Sequence, residues 1–108
     1  MDGITVIICT YNSSGTIYDT LKAVFDSSYK NFEVIVIDDC SADGTLNICK
    51  NFPVKVIELQ ENKGPSFARN IGIRNSKCDI VSFFPQLNAN IFSTLIIDQN
   101  VVGVKNLF

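Results

Sequence analysis

The 108-residue chain has no histidine at all, and its formal charge at pH 7 is only −2. Without an imidazole, Ser-His-Asp and Cys-His catalysis are excluded, together with every histidine-based metal site. Any acid–base or metal chemistry must therefore rest on carboxylates. The near-neutral balance offers no electrostatic footprint for nucleic acid or an anionic membrane, so neither is expected as a partner. No apolar run approaches the ~20 residues of a transmembrane helix. Met1-Asp2-Gly3 also lacks the basic start of a signal peptide. A soluble, cytoplasmic chain is the expectation. The four cysteines, Cys9, Cys40, Cys49 and Cys78, include no C-x-x-C pair. They read as reduced thiols filling space near strand ends rather than as zinc ligands.

What is present is ordinary for a globular domain: 46% apolar and 19% charged residues. A chain of this length is one domain, able to bury roughly two-thirds of the surface that it exposes unfolded. Ile4-Thr5-Val6-Ile7-Ile8-Cys9 reads as a first strand. Ser13-Ser14-Gly15 then offer N-caps to a helix whose apolar face is Ile17, Leu21, Val24 and Phe25. Residues 33–37 read as the second strand, its Val34-Ile35-Val36-Ile37 a continuous apolar run, the pattern of a strand covered on both faces. A short helix over 45–51 must stop before Pro53. Residues 54–59 suit an edge strand. Pro65 suits the first turn of a helix reaching about Ser76, and 79–84 read as a fourth strand. Alternating strands and helices with short loops predict an α/β fold: a doubly wound, mostly parallel, Rossmann-like sheet with helices on both faces. Beyond Pro85 the period is lost. A strand or short helix near 91–97 and a strand near 101–104 are expected there.

The most informative residues follow the second strand: Asp38-Asp39-Cys40-Ser41, then Asp43-Gly44-Thr45. Two carboxylates at the end of a buried strand are not core packing, because burying an unpaired charge costs several kcal/mol or forces a large pKa shift. The carboxyl edge of an open α/β sheet is where such folds bind ligands. The plainer reading is a solvated turn, with Ser41 or Asp43 capping the next helix. If the strand order is 3-2-1-4, the chain reverses between strands one and four and opens a crevice. Cys9-Thr10-Tyr11-Asn12, the acid pair and the residues after strand four meet at that edge. Tyr11 offers a flat face to a nucleobase, Asp39 an acceptor for a ring N–H, and Asp38 can hold the loop or a ribose hydroxyl. The first loop is not G-x-G-x-x-G, which disfavours a dinucleotide on a helix N-terminus.

These segments, joined by Asn62-Lys63-Gly64 and Ala68-Arg69-Asn70-Ile71-Gly72, resemble the inverting family 2 glycosyltransferases over about residues 4–84. The resemblance implies a GT-A fold and a nucleotide-diphosphate sugar donor, UDP- or GDP-linked. It implies that Tyr11 and Asp39 contact the base and that Cys9 or Thr10 lines the same pocket. Arg69 and Asn70 would face the nucleotide or its diphosphate, and Asn12 and Asp38 belong to the same nucleotide-binding set. The family also places an Asp-x-Asp motif after the fourth strand, holding Mn²⁺ or Mg²⁺. Here the corresponding residues are Pro85-Gln86-Leu87, and Asn88 and Asn90 bring no charge. Hard cations require oxygen ligands, so no metal site, cofactor or catalytic residue is assigned.

The whole chain is expected to be a single truncated donor-binding domain, with a family-like core over 4–84 and an atypical tail over 85–108. The acceptor half and its general-base aspartate are not expected in it, Asp98 being the only acid downstream. Binding without transfer follows as the expected behaviour. Two alternatives stand beside it: a non-catalytic remnant acting as a folding or association unit, and a haloacid-dehalogenase-type phosphatase suggested by Ala42-Asp43-Gly44-Thr45-Leu46. The phosphatase needs a nucleophilic aspartate where this chain has Ser41. An apolar fourth strand at a sheet edge, with the apolar tail, also predicts a homo-oligomer.

Overall fold

The computed structural model describes residues 3–83 and the backbone of residues 95–98. In chain order the elements are β1 (Ile4–Thr10), α1 (Ile17–Phe25), β2 (Phe32–Asp38), α2 (Thr45–Cys49), β3 (Lys55–Glu58), α3 (Pro65–Asn75), β4 (Ile80–Phe83) and β5 (Leu95–Asp98). The sheet order is β3-β2-β1-β4-β5. The first four of these strands are parallel, and β5 runs antiparallel along β4, with Phe83 opposite Leu95 and Ile80 opposite Asp98. The expected 3-2-1-4 order is observed. The outer edge of β4 is covered by a strand of the same chain, within the stretch expected to be a strand or helix. The strand expected near 101–104 lies outside the described residues.

The doubly wound architecture follows from strict alternation along the central strands. Val6 and Ile8 of β1 and Val34 and Val36 of β2 face α1 and α2, packing on Ile17, Leu21, Val24 and Cys49. Ile7, Ile35 and Ile37 point the other way and pack with Ala68 and Ile73 of α3 and Val81 of β4. A strand buried on both faces has no polar alternate, which is why these stretches read as unbroken apolar runs. Each such aliphatic side chain contributes about 1.5–3 kcal/mol on burial. Gly72 brings α3 close to the sheet: a Cβ there would sit 2.6 Å from Cγ2 of Ile7.

Two local expectations change. Helix α1 starts at Ile17 with Thr16 as its N-cap residue, and no side chain caps it. The Ser13 hydroxyl is turned back to the Tyr11 carbonyl instead. Helix α2 ends at Cys49, and the chain continues towards Pro53 in tighter turns, with the Asn51 N–H donating to the Ile48 carbonyl and the Phe52 N–H to the Cys49 carbonyl, both at 3.1 Å.

Candidate functional site

Strands β1 and β2 end level, with Thr10 paired to Asp38, so their following loops leave the sheet side by side. Hydrogen bonds zip the two loops together. The Asp39 N–H donates to the Thr10 carbonyl at 2.8 Å. Asn12 N–H donates to Ser41 Oγ at 2.8 Å, Ser13 N–H to Thr45 Oγ1 at 2.9 Å, and Ser14 N–H to Asp43 Oδ2 at 3.1 Å. In return the Ala42 N–H donates to Asn12 Oδ1 at 2.8 Å. The left-handed backbone at Asn12 (φ 48°) and Cys40 (φ 68°) makes this approach possible. Asparagine tolerates that region better than most residues, whereas Cys40 is held there by the bonds around it.

The two adjacent acids go to opposite faces. Asp38, 1% exposed, continues the alternation of Val34 and Val36 towards α2. Its two oxygens accept the Ser41 N–H at 2.9 Å and the Ser41 hydroxyl at 2.6 Å. Asp39, 5% exposed, turns to the α3 side. One of its oxygens accepts the Lys63 N–H at 2.7 Å and the other the Gly64 N–H at 2.9 Å. Gly64 has φ 91° and ψ 164°, a region essentially reserved for glycine. Nothing crowds its missing Cβ, so the demand is for backbone geometry. Each Asp39 oxygen keeps a further lone pair for a ligand.

Cys9 lies on the same face as Asp39. Burial pushes its thiol up to about 11, while the Arg69 guanidinium pulls it down and Asp39 adds to the rise. Cys9, Asp39 and Arg69 therefore share one electrostatic neighbourhood, and Cys9 stays neutral at physiological pH. Cys49, on the other face, is likewise pushed to about 11 by burial, with the Asp38 charge adding to it. No disulfide links any of the four cysteines.

Tyr11 leaves the end of β1 with its side chain half exposed. Thr10, by strand alternation, points to the α1 side. It is 2% exposed, and its Oγ1 has no hydrogen-bond partner among the described residues. Asn70 Oδ1 on α3 is also buried without a partner. Such orphaned buried oxygens are uncommon in folded proteins. Asn12 spends both its N–H and its side-chain oxygen on the neighbouring loop. Of the sequence-derived set, Cys9, Asp39 and Arg69 come together on one face, Asn12 ties the two loops, Asp38 bonds within its own loop, and Tyr11 stands at the rim.

Sequence reasoning quoted Lys63 and Gly64 but gave them no role, although the Gly64-Pro65 pair marks the turn that lets their amides reach Asp39. Nearby, Lys63 pairs with Glu61 at 2.5 Å and lies 5.7 Å from the exposed Phe67 ring. Asp43 matches the plainer reading. It accepts from the Thr45 N–H at the start of α2, from the Thr45 hydroxyl and from Ser14 N–H. The Thr45 hydroxyl bond is the main cause of its carboxyl falling to about 2. An aspartate so engaged leaves little support for phosphatase chemistry in this loop.

Among the described residues, no three Asp, Glu, His or Cys side chains gather as a cation site. Pro85-Gln86-Leu87, where the resemblance sets the family's acidic motif, lie outside the described residues, and neither the proline nor the leucine side chain carries an oxygen donor. These residues do not fit a Mn²⁺ or Mg²⁺ ion. No described helix is long and apolar enough to cross a membrane.

Comparison with known proteins bears directly on this geometry. The model of glycosyl transferase family 2 matches residues 5–84. The poly-beta-1,6-N-acetyl-D-glucosamine synthase of Staphylococcus aureus (strain MSSA476) is 38% identical over 85 residues, which are 75% of this chain and 21% of that protein. The crystal structure of S. aureus TarS 1-349 in complex with UDP superposes with a TM-score of 0.74 at 33% identity, over 80% of this chain and 27% of that one. The mannosyltransferase PcManGT from Pyrobaculum calidifontis, in complex with GDP-Man and Mn²⁺, gives 0.69 at 28% identity, over 73% of this chain and 26% of that one. The chain spans between 12% and 34% of the length of the first curated relatives that it matches. With the family model covering most of its length and the sheet of a GT-A transferase, the chain belongs to glycosyl transferase family 2.

Proposed function

We propose that this chain forms the donor-nucleotide site of a family 2 glycosyltransferase and takes a UDP- or GDP-linked sugar. The observation that carries the reading is Asp39. It is a nearly buried carboxylate at the carboxyl edge of the sheet, oriented by two backbone amides and sharing its surroundings with Arg69 and Cys9. A carboxylate oxygen so fixed accepts a ring N–H of a base with no reorganisation. The exposed Tyr11 ring supplies a stacking face beside it. Arg69 supplies the positive charge that a diphosphate needs, bidentately if the guanidinium is turned to it. Asn70 on α3, next to Arg69, has a side-chain oxygen lacking a partner among the described residues and adds a polar atom on the same side of the sheet.

Transfer is a separate matter from binding. In the family a bound cation neutralises the departing diphosphate, and here the donor set does not fit one. The 108-residue chain alone is accordingly proposed to bind donor without transferring its sugar. Its thiols, none in a disulfide, accord with the reducing cytoplasm. Association of copies would use the β3 or β5 edge or the 85–108 tail, since β4 is already paired on both sides.

Titration calorimetry with UDP and with GDP tests the site. One of the two nucleotides is expected to give a saturable heat, the same with or without Mn²⁺. Absence of heat from both at millimolar concentration would overturn the reading and favour a remnant that only folds or associates.

A further inference from the structure

The two acids that look alike in sequence have different partners: Asp39 is held by the loop after β3, and Asp38 is held within its own loop. Ser41 donates to both oxygens of Asp38, through the N–H at 2.9 Å and the hydroxyl at 2.6 Å. A serine hydroxyl has one hydrogen. Having given it to Asp38, Ser41 presents only lone pairs to its other neighbour, the Asn12 N–H at 2.8 Å. Asn12 N–H, Ser41 O–H and the Asp38 carboxylate thus form a series in which each bond polarises the next and an anion closes the end. Asn12 is the residue after Tyr11 and sits in the left-handed region at φ 48°. The Tyr11 carbonyl is held in turn by the Ser13 hydroxyl at 3.1 Å. With half its surface exposed, the Tyr11 ring depends in part on where its backbone places it.

We propose that Asp38 is a positioning residue for Tyr11: through the Ser41 hydroxyl it fixes the Asn12 amide and so aims the ring on which the base stacks, while Asp39 meets the base. This inference rests on the nucleotide-site reading above. Its structural half is independent of any ligand.

The test uses the full chain carrying Tyr18→Phe and Tyr29→Phe. Tyr11 is then the only tyrosine, and the chain has no tryptophan, so fluorescence anisotropy reports the Tyr11 ring alone. Ser41→Ala is expected to free that ring before any nucleotide is added and to weaken UDP binding about tenfold, the loss of roughly one hydrogen bond's net worth. Ser41→Thr, which keeps the hydroxyl, restores both. By calorimetry, Ser41→Ala has no further effect on UDP affinity in a Tyr11→Ala background. Unchanged Tyr11 anisotropy in Ser41→Ala overturns the proposal, as does an equal loss of affinity with and without Tyr11. If the parent chain binds neither UDP nor GDP, the nucleotide reading falls by itself and the anisotropy comparison alone decides whether the relay holds the ring.

Discussion

The two faces of the sheet are built for different ends. On the α1/α2 face, Leu21 and Ile17 are fully buried against Ile8 and Val36, and the carboxylate that reaches this side, Asp38, bonds only within its own loop. On the α3 face, α3 is the one helix among the described residues that covers the sheet. There the carboxylate, Asp39, is tied to amides 24 and 25 residues away, beside Arg69 and Cys9. On the first face the carboxylate is held by a residue three positions on, beneath loops that are zipped to each other. The other draws distant segments to one point and leaves polar atoms with capacity to spare. A dipeptide can therefore serve both, because adjacent residues at a strand end point to opposite sides.

This contrast can be broken most forcefully in the closed face. Leu21→Ala should cost about 2–5 kcal/mol of unfolding free energy, as a cavity in a fully buried layer does, while the folded fraction binds UDP as before. Urea denaturation and calorimetry on the same sample check both halves. On the α3 face the expectation inverts. Asp39→Asn should weaken nucleotide binding by about 10- to 100-fold, the worth of a hydrogen bond to a charged group, with a smaller fall in stability. A loss of folding without a specific loss of binding would place Asp39 with Asp38 as scaffold. Gly72→Ala comes next. Its new Cβ would lie 2.6 Å from Ile7 Cγ2 and 3.1 Å from Cδ1, so overpacking should cost about 1–3 kcal/mol, partly offset by up to about 1 kcal/mol of helix propensity. The helix must move outward, and the separation of Arg69 from Cys9 with it. A chain as stable as the parent would show that α3 slides freely on the sheet.

The smallest effect lies in acid. The Asp43 carboxyl is depressed from 3.8 to about 2 by its hydrogen bonds with Thr45 and Ser14. A carboxyl lowered on folding stabilises the native state above its unfolded value and ceases to as pH falls through its folded value. The zipper between the two loops should therefore weaken as pH falls from 3.8 towards 2. Amide exchange at Ser14 and Thr45 should quicken over that window, and Asp43→Asn should abolish the pH dependence.

Much of this was legible in the sequence, for identifiable reasons. The unbroken apolar runs of β1 and β2 announce strands covered on both faces, and the order of elements leaves few topologies. Asp38 and Asp39 at a strand end mark the edge that matters. The partners of those acids were not legible, because Lys63 and Gly64 reach Asp39 only once β3 has paired alongside β2. Nor could the sequence show that Ser13 and Ser14 would not cap α1. Their amides donate to Thr45 and Asp43 across the loops, and the Ser13 hydroxyl turns to Tyr11, a choice made by tertiary contact over local propensity. Strand β5 was ambiguous for a different reason: an apolar stretch without period does not tell strand from helix, and its pairing with β4 decides it.

The central claim is that a nucleotide binds at the carboxyl edge of the sheet on the α3 side. Mapping amide chemical shifts by NMR during a UDP titration tests it most directly. The account predicts shifts at Tyr11, Asn12, Asp39, Lys63, Gly64 and Arg69. It predicts silence at the opposite end of the sheet, where Thr5, Glu33 and Cys78 form their own hydrogen-bonded cluster. Shifts centred on that cluster, or spread evenly over both ends, would contradict it.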